Sequence, residues 1–454
     1  MKQYDTYKDS SIPSIGTIPN SWRVVPIKYV LEQSANGIKI GPFGSTLTGK
    51  VSPANQIKVY GQWNVIGKDF SAGKNYVSED TYQELESYWI HPNDILISMM
   101  GTVGKCAIIP KGVAKGIMDS HIVKVRLDET IILPQFFYYV YDKDGSNVVI
   151  SQIQRDRRGS IMDGLNSTLI KSFIIPLPPL SEQLDIVSFL DEKVNMIDAT
   201  IAEKEQMLED LKNYRSAIIS EAVTKGLDKN VEMKDSGVEC IGMIPKHWNI
   251  NKLKFFADIS TGTTPSTDNE EYWKEPTENW YTPSDFCEEN VHLETSSRKV
   301  STTAFQESAC RVFKKDVVLV VGIGATLGKI GISSVECSAN QQINAIEFYE
   351  NVYPLFGAYY LSSLKELMKS LASAATLAIM NQSVTGSIPF VCPTLDEQQE
   401  IADYLEKKMK SIGSLLNQIE VQINDLKSYK SALITEAVTG KIDLRDWKPK
   451  EENV

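Results

Sequence analysis

The run Gly322-Ile323-Gly324-Ala325-Thr326-Leu327-Gly328-Lys329 comes closest to a chemical motif in this chain. A phosphate loop needs four residues between its glycines and a Ser or Thr after the lysine. Here five or three residues intervene and Ile330 follows, so the run reads as a tight turn after a strand. Glu406-x-Lys408 has the form of a nuclease fragment, but it lies in a helical stretch without a second acid and reads as a solvated pair. The six cysteines (106, 240, 287, 310, 337, 392) include no C-x-x-C pair, and no two of the four histidines stand at ligand spacing. That pattern argues against zinc and for reduced thiols in a cytoplasmic protein. No Ser-His-Asp or Cys-His set has supporting local context, so the chain is expected to catalyse nothing itself.

The side chains must then act by binding, and the elements that position them show in an internal repeat. Leu180 to Asp228 lies on Leu395 to Asp443 at an offset of 215 without a gap, with 20 of 49 residues identical. Glu182-Gln183 falls on Glu397-Gln398, and Glu221-Ala222-Val223-Thr224 on Glu436-Ala437-Val438-Thr439. Each copy reads as one long helix, with Ser181 and Asp396 placed as N-caps. Leu190, Ile197, Leu208 and Leu211 in one copy and Leu405, Ile412, Leu416, Ile423 and Leu426 in the other form apolar seams with heptad-like spacing. Lys204, Arg215 and Lys430 interrupt them. Roughly 40 residues of helix span about 60 Å. Two such seams in one chain predict mutual pairing.

The repeat continues into the globular parts. Ile15-Gly16-Thr17-Ile18-Pro19-Asn20-Ser21-Trp22 matches Ile241-Gly242-Met243-Ile244-Pro245-Lys246-His247-Trp248 at an offset of 226. Each match opens a segment of short strands and turns. Asp94–Met100 and Asp316–Val321 read as buried strands, Pro134–Tyr141 as a short helix, and the polar tail from Leu444 as frayed. The organisation expected is 1–180 and 229–394 as globular domains, 181–228 and 395–443 as long helices, and 444–454 as a tail.

The formal net charge of −11 is unevenly spread: residues 1–181 carry +3 and residues 182–228 carry −6. The globular parts are thus permitted, though not required, to meet nucleic acid. The first residues lack the apolar core of a signal peptide, and no apolar run is long enough to span a membrane.

Two variable segments, each opened by I-G-x-I-P-x-x-W and each followed by P-x-L-[SD]-E-Q-x-x-I and a helix ending in E-A-V-T, resemble the specificity subunit of a Type I restriction-modification enzyme. Gly41-Pro42-Phe43-Gly44-Ser45, Thr261-Gly262-Thr263-Thr264-Pro265-Ser266, Gly104-Lys105, Gly328-Lys329 and Asn340-Gln341-Gln342 are similar to that family as well. The resemblance covers nearly the whole chain. It implies an α+β fold with internal pseudo-two-fold duplication. Two target recognition domains would be held apart by an antiparallel coiled coil that docks modification subunits, two of them expected. It also implies double-stranded DNA as target, each domain reading one half-site, and restriction subunits as further partners. S-adenosylmethionine, and ATP with Mg for restriction, would belong to those partners; this chain would bind no cofactor. No N/D-P-P-aromatic motif is present to hold a flipped base, as a stand-alone adenine methyltransferase would require.

Candidate DNA contacts are Arg155, Arg157 and Arg158, which could fork onto guanine or phosphate or form a solvated basic loop. Lys39 and Lys50 flank the Gly41–Gly44 turn. Gln341, Gln342 and Asn344 carry amides suited to adenine, or to a structural role, and Thr263, Thr264 and Arg298 complete the set. Two rival readings are a stand-alone methyltransferase or nuclease, and a coiled-coil scaffold without DNA specificity.

Overall fold

A computed structural model describes residues 2–34, 37–142, 145–157, 165–288, 290–373 and 379–449. The chain forms two compact units: Met1–Lys204 with Gln422–Val454, and Glu205–Val421. The repeated segments are helices Leu180–Lys225 and Leu395–Val438, so each unit holds one half of each helix.

Both units are built to one plan. In the first, Ile38–Ile40, Ile122–Val125, Ile95–Ser98 and Cys106–Ile108 form an antiparallel sheet in that order. Beside it Tyr76–Val77, Ile57–Tyr60 and Gly116–Met118 form a mixed sheet whose last pair is parallel. The second unit repeats the order with Ala257–Thr261, Ile343–Phe348, Val317–Val321 and Ile330–Ser333. Its mixed sheet is Lys299–Val300, Glu278–Tyr281 and Ser338–Ala339, again with a parallel last pair. All five side chains of Val317–Val321 are buried, which explains an apolar run without alternation. A ribbon closes each unit, Arg23–Pro26 with Ile174–Leu177 and Asn249–Lys252 with Pro389–Cys392, delivering the chain to its long helix.

The long helices pack antiparallel. In the first unit Lys430 Nζ meets both carboxylate oxygens of Asp198 at 2.6 Å, and Lys204 Nζ donates to Gln422 Oε1 at 2.7 Å. In the second, Ile218, Ala222 and Val223 share a core with Ile401, Leu405, Ile412 and Leu416, and Leu208 and Leu211 pack against it. Leu190, Ile197 and Ile423 are buried as the seam predicted, while Leu426 is half-buried. Two of the seam's polar interruptions are therefore cross-helix contacts.

The helix ends differ from expectation. Ser181 and Asp396 fall inside the first turns, because the helices begin at Leu180 and Leu395. Thr394 caps the second: Glu397 Oε2 accepts from Thr394 N at 3.1 Å, and Glu397 N donates to Thr394 Oγ1 at 3.4 Å, a capping box. After the helices, Gly226 (φ 75°) and Gly440 (φ 70°) take the left-handed conformation that ends them without a Cβ clash. The tail is not frayed as far as residue 449: Leu444 is 4% exposed and Trp447 packs edge-on to Phe189.

The paired E-Q residues have a defined task. Trp22, fully buried, donates its indole N–H to Glu182 Oε2 at 2.9 Å and sits against Gly440, where a Cβ would lie 3.2 Å from its ring. Trp248 donates to Glu397 Oε1 at 3.2 Å and sits against Gly226, with 3.1 Å to a Cβ. Each tryptophan thus joins the start of one long helix to the end of the other. Burial pushes the Glu397 carboxyl up, but donors from His247, Thr394 and Trp248 outweigh it and hold it below the usual range. Gln183 accepts from Leu133 N and donates to Ile131 O and Pro178 O; Gln398 does the same with Tyr353 N, Asn351 O and Pro393 O. Further along, Tyr139 donates to Asp191 and Tyr359 to Glu406, both at 2.5 Å, again one repeat apart.

Candidate nucleic-acid interface

Strand directions bring four turns together at one end of each unit. In the first, strands ending at Ile40, Tyr60 and Ser98 and those beginning at Cys106 and Ile122 place Gly41–Gly44, Gly61–Trp63, Met99–Lys105 and Asp119–His121 side by side. Hydrogen bonds join them: Gly41 N donates to Ile122 O at 3.0 Å, Met99 N to His121 O at 3.1 Å, and Met100 N to Gln62 Oε1 at 3.1 Å. A Cβ on Gly41 would lie 1.6 Å from Asp119 O, so only glycine lets these two turns touch. Phe43 is 85% exposed, Trp63 67% and Met100 58%. Gln62, Trp63, Asp119 and His121 also line a shallow cavity of about 490 Å³.

The second unit assembles the same rim from Gly262–Ser266, Thr282–Asp285, Gly322–Lys329 and Asn340–Gln342. Gly262 N donates to Ile343 O at 3.0 Å, and a Cβ there would lie 2.3 Å from Ala339 O. Thr264 Oγ1 donates to Gln341 Oε1 at 2.6 Å, joining two of the expected contact residues.

Both rims hold their carboxylates, half-buried, in main-chain hydrogen bonds. Asp119 accepts from His121 N at 2.8 Å, and burial raises its pKa above the ordinary value against the pull of His121. Asp285 accepts from Thr282 N and Ser297 N, both at 2.7 Å. What remains outward is mostly hydroxyl, amide, ring and main-chain N–H. Such groups suit base edges in a groove, whereas phosphate neutralisation needs lysine and arginine.

Several of the expected contact residues have partners within the chain. Asn344 is 3% exposed and its amide donates to Met380 O at 2.7 Å and Thr385 Oγ1 at 2.9 Å, so it anchors the strand beneath the rim. Gln342 Oε1 accepts from Asn340 Nδ2 at 3.0 Å within its own turn. Thr263 Oγ1 accepts from Arg311 N at 2.7 Å. Arg298 stacks between Trp273 and Trp280, 5.2 and 5.0 Å from their centroids, and those indoles donate to Ser266 O and Thr263 O. It props the Gly262–Ser266 turn from the side. Lys50 pairs with Glu84 at 2.7 Å, and Lys39 lies mid-strand, 5.2 Å over the Tyr88 ring. Arg155 is exposed on helix Asn147–Arg157, which also holds Arg157, so these two are helical and not in a loop. Arg158 lies outside the described residues.

Gln62, Trp63 and His121 join the candidates through the geometry of the rim alone. An offset of 221 carries Gly41 onto Gly262, Gly61 onto Thr282, Gly101 onto Gly322 and Asp119 onto Asn340, and it carries His121 onto the candidate Gln342.

The repeated plan agrees with the comparisons. Residues 37–210 and 245–425 match the family described as Type I restriction modification DNA specificity domain, and the chain belongs to it. It is similar to the protein assigned as the type I restriction enzyme MjaX specificity subunit of Methanocaldococcus jannaschii, 24% identical over 97% of this chain and 98% of that one. The EcoBI specificity subunit of Escherichia coli is 22% identical over 80% of this chain and 76% of its own. A chain solved in a study of type I R-M complex assembly superposes with a TM-score of 0.72 at 18% identity, covering 94% of this chain and 99% of that one. Among the described residues no helix is long and apolar enough to cross a membrane.

Proposed function

We infer that this chain is the non-catalytic DNA-recognition subunit of a Type I restriction-modification complex, each unit reading one half of a bipartite target. The observation that carries the reading is the rim of four turns, built twice on matching sheets, with its carboxylates engaged by main-chain N–H groups. Modification subunits, two of them, bind S-adenosylmethionine and methylate adenine; restriction subunits use ATP and Mg. The catalytic residues belong to those partners. Rims poor in cations favour weak, salt-sensitive binding by the chain alone, with partners adding the phosphate contacts.

Substituting Thr264→Ala with Gln341→Ala tests this. Losing a side-chain contact to one base costs about 1–3 kcal/mol of discrimination, roughly tenfold or more in relative methylation of mismatched sites. With modification subunits and S-adenosylmethionine present, one half-site should relax and the other should stay intact. Relaxation of both halves, or of neither, contradicts the assignment of this rim to one half-site.

A further inference from the structure

The two helix-pair halves do not complete their charges in the same way. In the first unit Lys430 reaches across to Asp198, at 2.6 Å from both carboxylate oxygens. The offset of 215 carries Arg215 onto Lys430 and Asp198 onto Gly413. The second unit therefore keeps the cation but has a glycine where the first has the carboxylate. Among the described residues, nothing beyond the backbone of its own helix lies within 4 Å of the place a Cβ on Gly413 would take. Arg215 turns to the main chain instead, donating from Nη2 to Glu288 O at 2.8 Å, and its buried Nη1 has no hydrogen-bond partner among the described residues.

Arg215 also lines a cavity of about 360 Å³, together with Lys329 and Lys365 and the apolar side chains of Ile219, Val291 and Met409. Lys365 pairs with the Glu288 carboxylate, and Lys329 Nζ donates to Phe286 O at 2.9 Å. Among the described residues three cations face two acids, Glu288 and Glu366, in the lining. A partly enclosed guanidinium without a counter-charge is the costly state, and its planar fork matches carboxylate and phosphate oxygens. We propose that the cavity beside Arg215 binds a small oxyanion, a carboxylate or phosphate, which supplies from solution the charge that Asp198 supplies in the other unit. The site lies wholly within the second unit and does not depend on the DNA reading.

Thermal unfolding of the full chain, at constant ionic strength, with sodium phosphate or sodium acetate against sodium chloride, tests the proposal. A rise in Tm of roughly 2 °C is expected once the free anion concentration exceeds its Kd about tenfold. A response to phosphate alone or to acetate alone identifies the preferred oxyanion. Gly413→Asp should abolish the response, because the missing carboxylate is then supplied in cis. Gly413→Ala should keep it, separating charge from the helix propensity gained on replacing glycine. Arg215→Gln should lose it, and if that variant does not fold the Gly413 pair decides alone. Equal Tm in all three salts for the unaltered chain, or an undiminished response in Gly413→Asp, overturns the site.

Discussion

Trp248→Ala is expected to destabilise the second unit by about 3–5 kcal/mol, the range for emptying a buried tryptophan site. The indole is 1% exposed and touches three separate pieces of that unit: its own turn, Glu397 at the start of one long helix, and Gly226 beyond the end of the other. The cavity cannot collapse without moving a helix terminus. Trp248→Phe should cost less, because the ring still fills the site and Glu397 keeps its bonds from His247 at 2.8 Å and Thr394 Oγ1 at 2.8 Å. Urea unfolding followed by far-UV circular dichroism measures both. A loss below about 1 kcal/mol in the alanine variant would show that the tryptophan does not join the helix ends, since that is no more than the loss of about one buried methylene group.

Gln183→Leu is the second large effect. The residue is fully buried and its amide answers three main-chain groups: Leu133 N at 2.8 Å, Ile131 O at 3.0 Å and Pro178 O at 2.9 Å. Leucine has a similar volume, so the change removes the hydrogen bonds with little change in packing. Each buried group left without a partner costs about 1–3 kcal/mol, and the sum should reach about 3 kcal/mol or more. Hydrogen exchange at the Leu133 amide should accelerate together with the fall in unfolding free energy. Stability within about 0.5 kcal/mol of the unaltered chain would mean the three groups find other partners, which is contrary to their enclosure.

The long helices, the duplication and the buried strands were legible because apolar spacing and repeated identity are local signals that survive divergence. The turn glycines were legible for the same reason. Long-range partners were not. Glu182 and Gln183 stood out as repeated letters, yet their task depends on Trp22 and Leu133, 160 and 50 residues away. Asn344 looked like a base reader because strand alternation gave it a polar face. That face turns toward Thr385 and the Met380 carbonyl, and a single strand's pattern cannot reveal what packs over it. Arg155 was open to reading as a basic loop because its run is short, shows no apolar period and ends at Gly159; the helix that holds it is only 11 residues long. In the first unit only the Gly41–Gly44 turn was legible, because Gln62 and His121 belong to turns brought beside it by strand pairing far along the chain.

The most direct measurement is the adenine methylation pattern of a host genome carrying this chain with its modification subunits. A single bipartite motif is expected, absent when this chain alone is deleted. Exchange of residues 20–180 for those of another family member should change one half of the motif and leave the other intact. An unchanged pattern after deletion would contradict the assignment of sequence recognition to this chain.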